Sequence, residues 1–151
     1  MPGHRRRSRE MALQVLYQME HGPSSPEEAL ELFRSHFEAP PEAMDYTRRL
    51  VEGISEYREE IDRLLARVSR RWKLSRMAQV DRNILRLAAF EMLYSRGEVP
   101  PKVAINEAVE LAKRFGGQES PAFVNAVLDN LLDAGSPQDS PQDPQAPQLR
   151  G

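Results

Sequence analysis

A chain of 151 residues has room for one domain with its own hydrophobic core, and an apolar content of 40%, low for a globular protein, implies that a polar segment dilutes it. With no cysteine, disulfides, thiolate metal sites and cysteine nucleophiles are excluded, which fits a reducing cytoplasm. A net charge of -2 argues against a uniformly basic nucleic-acid coat, so any RNA or DNA contact must come from a local patch.

No run approaches the roughly 18 apolar residues of a membrane span, and the basic start Arg5-Arg6-Arg7 is not followed by the apolar stretch of a signal peptide. A soluble, cytoplasmic protein is expected. Ala12, Leu16 and Met19, with Leu13, Val15 and Tyr17 beside them, set a helical stripe that predicts a first helix over about 5–20. After the turn at His21-Gly22-Pro23, Ser25 can cap a second helix that starts at Pro26 and runs to about His36, with Glu28 placed to close a capping box. Pro40-Pro41 interrupts the chain. Ile54, Tyr57, Ile61, Leu64, Leu65 and Val68 then share one stripe, which fits either one long helix bent near Gly53 or two short ones.

From about Arg76 to Ser95, Ile84, Leu85, Leu87, Ala88, Ala89, Met92 and Leu93 spread apolar groups around most of the circumference, the pattern of a central buried helix. Pro100-Pro101 opens the next, with Ala104, Ala108, Leu111, Ala112 and Phe115 in register and Gly116 where a left-handed cap belongs. Ser120-Pro121 starts the last, whose apolar face is Phe123, Val124, Val127, Leu128, Leu131 and Leu132. Residues 136–151 repeat Ser, Pro, Gln and Asp without apolar periodicity and read as a disordered tail. The class is all-α, with six or seven helices and a helical domain over residues 1–135.

Three constellations could carry function. Arg5, Arg6, Arg7 and Arg9 gather where the first helix begins, at the positive end of its dipole, where acidic groups would be the more stable choice. Guanidinium groups bind phosphate bidentately and stack on unpaired bases, so the cluster suits single-stranded RNA, against the plainer alternative of a solvated arm. The turn Gly116-Gly117-Gln118-Glu119-Ser120 opens onto a helix N-terminus that could cradle a phosphate, although Glu119 would repel an anion placed too close and an ordinary interhelical turn is the simpler reading. Phe123 could stack a base or sit in the core. Arg82 and Arg86, one turn apart behind Asp81, could face a protein partner or form pairs along their own helix, and Glu91 reads as a satisfied core carboxylate.

Catalysis finds little support. His4, His21 and His36 lack ligand spacing, no phosphate-binding glycine loop follows a strand, and the carboxylates are scattered. Neither a metal nor an organic cofactor is expected.

Four ordered blocks carry a resemblance. Arg5-Arg6-Arg7-Ser8-Arg9-Glu10 with Ala12-Leu13-Gln14-Val15-Leu16-Tyr17, then Val80-Asp81-Arg82-Asn83-Ile84-Leu85-Arg86, then the run from Pro101 to Gly116, then Ser120-Pro121-Ala122-Phe123-Val124-Asn125, together resemble the NusB family over residues 5 to about 133. The resemblance implies two three-helix bundles packed across one another, and a factor that binds the single-stranded box A element of ribosomal RNA leader transcripts. It also implies a partner, the ribosomal protein NusE, and a place in the RNA polymerase antitermination complex that reads through terminators. By that likeness Arg5, Arg6, Arg7, Arg9, Glu119, Ser120 and Phe123 fall where the family meets RNA, and Tyr17 and Asp81 where it meets NusE. One departure stands out: Ala126 follows Phe-Val-Asn, where the family usually has glycine, so local packing there is in question.

Two other readings remain. A helical domain of this kind also fronts some RNA cytosine methyltransferases, but residues 136–151 leave no room for an α/β domain to hold a methyl donor. The second is a helical protein-protein scaffold without RNA binding.

Overall fold

Helices form where the apolar stripes place them. The structure, a computed structural model, describes residues 2–22, 25–69 and 72–134, and these fold as α1 (Pro2–His21), α2 (Pro26–His36), α3 (Pro41–Glu56), α4 (Arg58–Ser69), a 3-10 turn (Leu74–Arg76), α5 (Gln79–Tyr94), α6 (Pro101–Phe115) and α7 (Ser120–Ala134), with no strand among them. Pro23 and the tail over 136–151 lie outside the described residues. The stretch for which one or two helices were expected is two, parted at Tyr57 rather than bent at Gly53.

Local chemistry sets the helix starts. Ser25 Oγ accepts the Glu28 N–H at 3.2 Å, satisfying one of the donors left over at the start of α2, with Pro26 at the first helical position. Both proline pairs act as initiators: Pro40 and Pro100 are caps, and Pro41 and Pro101 take the first position of α3 and α6, where a missing N–H costs nothing.

The chain divides into two compact units after Arg58. In the first, α1, α2 and α3 pack on one another. Ala43, Thr47, Leu50 and Ile54, spaced four, three and four apart, line the buried face of α3. Ser8 on α1 is fully buried, and its Oγ lies 2.7 Å from the carbonyl oxygens of both His4 and Ala43, its one proton serving either. Thr47 Oγ1 donates to Ala43 O at 2.8 Å. The small side chains of Ser8 and Ala43 suit so short a polar stitch between α1 and α3.

In the second unit α5, α6 and α7 form the other mutually packed trio. Every residue from Asn83 to Ala89 is buried, as its all-round apolar pattern predicts. The remaining helix, α4, is fastened to this trio by polar clips: Arg86 on α5 grips Asp62 with Nε to Oδ1 at 2.8 Å and Nη2 to Oδ2 at 3.0 Å, and Asn130 Nδ2 on α7 donates to Val68 O at 3.1 Å. Between α5 and α6 the chain turns through Arg96 (φ 57°) and Gly97 (φ 83°), with Ser95 Oγ accepting the Val99 N–H.

Candidate nucleic-acid interface

Helix α1 starts at Pro2, a few residues earlier than the stripe alone suggests, so the arginine cluster lies inside the helix and not at its very start. Arg6, Arg7 and Arg9 thus lie beyond the first turn, where the macrodipole penalty fades, and helical phase becomes the deciding factor. At about 100° per residue, Arg6 lies some 200° around from buried Ser8 and projects to solvent. Arg7 is also exposed, and its Nη2 donates to Glu38 O at 3.2 Å, just past the end of α2. Arg5 is half-buried, its guanidinium 4.7 Å from the centre of the Tyr46 ring. Arg9 is only 4% exposed. The four arginines read as one cluster in sequence therefore separate into an outward pair, Arg6 and Arg7, and an inward pair, Arg5 and Arg9.

The α6–α7 turn is held by serine. Ser120 Oγ accepts the Gly117 N–H at 2.9 Å, while the Ser120 N–H donates back to Gly117 O at 3.1 Å. Two of the N–H groups that a phosphate cradle would use are thus engaged internally, and Pro121 has none to offer. Ser120 itself is 6% exposed, so what it supplies is the shape of the turn. Gly116 does not adopt the left-handed conformation expected of it; its backbone is extended, with φ -95° and ψ -173°. Glycine is required there for a different reason, since a Cβ would stand 2.6 Å from both Cβ and Oγ of Ser120 and 2.9 Å from Ala112 O. Gly116→Ala should therefore destabilise by about 1–3 kcal/mol, as overpacking does, and Ser120→Gly in the same chain should recover part of the loss, both read by thermal melting. An unshifted midpoint for Gly116→Ala would mean that the turn is looser than drawn.

Glu119 is exposed and precedes α7, its carbonyl accepting the Phe123 N–H at 3.1 Å. Phe123 is half-buried, which answers the choice between core and surface with neither extreme. Its ring meets Trp72 edge-on, with centroids 5.9 Å apart and planes at 78°. Sequence reasoning passes over Trp72, although a lone tryptophan in the run Arg70-Arg71-Trp72-Lys73 carries a signal: basic residues interleaved with an aromatic. Ala126 is exposed, so the methyl group in place of the family's glycine projects to solvent and disturbs no packing.

The residues that the resemblance assigns to a protein partner are differently placed. Tyr17 is 52% exposed, with its ring 4.6 Å from that of His21 one turn on. Asp81 lies in the first turn of α5, where its charge complements the dipole, and its Oδ1 is buried without a hydrogen-bond partner within the protein. Arg86 pairs along its own helix with Asn83, and both Arg82 and Arg86 also reach acceptors outside it. Arg82 Nη1 donates to the carbonyls of Leu74 and Met77 and closes the 3-10 turn, and Arg86 is buried against Asp62, with Nη1 also bonded to Asn83. Those arginines are structural, because a guanidinium near a buried face is drawn to fixed carbonyl and carboxylate acceptors.

Comparison with known proteins fits this layout. The NusB family model matches residues 6–133. The transcription antitermination protein NusB of Myxococcus xanthus is 50% identical over 133 residues, covering 85% of this chain and 94% of that protein. Its counterpart from Desulforamulus reducens is 49% identical over 129 residues, covering 85% and 90%. Among solved structures, T. maritima NusB aligns with TM-score 0.78 at 34% identity, covering 89% of this chain and 94% of that one. A chain from a crystal structure of the antitermination factors NusB and NusE in complex with dsRNA aligns with TM-score 0.78 at 26% identity, covering 89% and 100%. With the family model spanning both helical units and relatives about half identical along most of the length, the chain belongs to the NusB family.

Proposed function

We propose that this protein is a transcription antitermination factor that binds the box A element of ribosomal RNA leader transcripts together with the ribosomal protein NusE and promotes read-through by RNA polymerase in the cytoplasm. The observation that carries this reading is the outward pair Arg6 and Arg7 at the start of a chain whose relatives are antitermination proteins and whose fold matches a chain solved with NusE and RNA. It acts by binding; no helix among the described residues is long and apolar enough to cross a membrane, and no reaction is assigned.

The division of labour follows from charge and shape. Arg6 and Arg7 neutralise phosphates and give salt-sensitive affinity, Arg5 and Arg9 set the helix face that presents them, and Phe123 contacts unstacked bases beside the turn that Ser120 holds and Glu119 borders. Tyr17, a half-exposed aromatic, and Asp81, whose buried Oδ1 lacks a hydrogen-bond partner within the protein, serve NusE. So small a basic patch binds RNA weakly by itself, and a second RNA-contacting protein extends it. Titrating labelled box A RNA should therefore give at least roughly 10-fold tighter binding with NusE present than without, and a preference over a scrambled RNA. Equal affinity in the two titrations would rule out the adaptor role, and NusE binding with no RNA retention under any condition would leave only a protein scaffold.

A further inference from the structure

Tryptophan is among the most buried residues on average, yet Trp72, the only one in this chain, is 56% exposed. Its backbone is nonetheless fixed. The Trp72 N–H donates to Ser69 O at 3.1 Å, and Ser69 Oγ, on a residue only 6% exposed, donates to Trp72 O at 2.9 Å. One residue further back, Asn130 of α7 holds the Val68 carbonyl, so the end of α4 to which Trp72 is hydrogen-bonded is tied to the helix that carries Phe123. The indole touches Phe123 edge-on, an arrangement that leaves aromatic face uncovered rather than stacking both rings away from solvent.

The charges nearby favour an anionic, base-bearing ligand. Lys73 follows directly and Arg76 ends the 3-10 turn, both exposed. An aromatic face beside cations, held by hydrogen bonds before any ligand arrives, is what stacking of an unpaired base needs: the cations meet the backbone, the ring meets the base, and little freedom is lost on binding. A core role does not account for a side chain more than half in solvent.

We propose that Trp72 is an RNA-binding residue of this protein, an indole platform on which one unpaired base of single-stranded RNA stacks next to Phe123, with Lys73 and Arg76 facing the flanking phosphates. This rests on the RNA-binding function proposed above and adds to it a stacking residue that neither the sequence motifs nor the family likeness assigned.

Because the chain has one tryptophan, its intrinsic fluorescence reports on position 72 alone. Full-length protein with NusE would be titrated with an unlabelled box A oligoribonucleotide while indole emission is recorded, and in parallel a fluorescein-labelled copy would be followed by anisotropy. The expected result is quenching that saturates at the same concentration as the anisotropy change. Trp72→Ala should weaken binding about 5- to 100-fold without altering the slope of affinity against salt, since stacking releases no counterions, and Trp72→Phe should restore most of it. The thermal midpoint of both variants should stay close to that of the parent. RNA that binds normally by anisotropy while emission is unmoved and Trp72→Ala binds as well as the parent would overturn the assignment and leave the antitermination reading intact. An emission change produced by NusE alone, with none added by RNA, would overturn it in favour of a protein contact. No anisotropy change with any RNA would bring down the antitermination reading and this residue's role with it.

Discussion

Arg6→Ala combined with Arg7→Ala should flatten the salt dependence of RNA binding, reducing the log-log slope by about 1.4, or 0.7 for each phosphate no longer neutralised on a single strand. At about 0.1 M salt this corresponds to roughly 20-fold weaker binding. Helical phase makes the prediction specific. Arg6 and Arg7 reach solvent from α1, so their removal should leave the melting temperature near that of the parent, whereas Arg9 is buried and its replacement should disturb folding before it disturbs RNA. The measurement is affinity by anisotropy over a salt series for the parent, the double variant and Arg9→Ala. A slope unchanged in the double variant would move the phosphate contacts away from α1.

The second large effect is on stability. Asp62→Ala should cost about 3 kcal/mol, because it removes the carboxylate that Arg86 holds through two hydrogen bonds while the guanidinium stays buried. Arg86 is 5% exposed and Asp62 27%, so the pair is shielded on the cationic side and open to water on the other, which sets the cost at the low end for a buried pair. Replacing both, Asp62→Ala with Arg86→Met, should return the protein to within about 1 kcal/mol of the parent, since the cost of burying a guanidinium without its carboxylate disappears with the guanidinium. Urea unfolding of the three variants forms a double-mutant cycle. Strict additivity would show that the ion pair is ornamental. There is a functional corollary, because the clip fastens α4, to whose last residue, Ser69, Trp72 is hydrogen-bonded: Asp62→Ala should also broaden and red-shift indole emission in the folded protein.

Much of this molecule is legible without coordinates. Apolar periodicity marks the helices, Ser25 and the two proline pairs mark three of their starts, and the all-round apolar pattern of α5 announces its burial, because these features depend on interactions within a few residues. Family likeness in turn singles out the first helix and the α6–α7 turn. Phase and distance are not local in the same way. Whether the arginines formed one cluster or two faces depended on which side of α1 is covered, and that is set by Ser8 meeting Ala43, thirty-five positions away. Gly116 was expected for its φ and proved necessary for its closeness to Ser120, which no spacing rule reports. The same holds for Asp62 with Arg86 and for Trp72 with Phe123, pairs that a linear pattern cannot join. Sequence determined which segments are helical and which family they compose; the tertiary structure decided which side chains face solvent, because exposure is set by what packs on the opposite side of each helix and that comes from elsewhere in the chain.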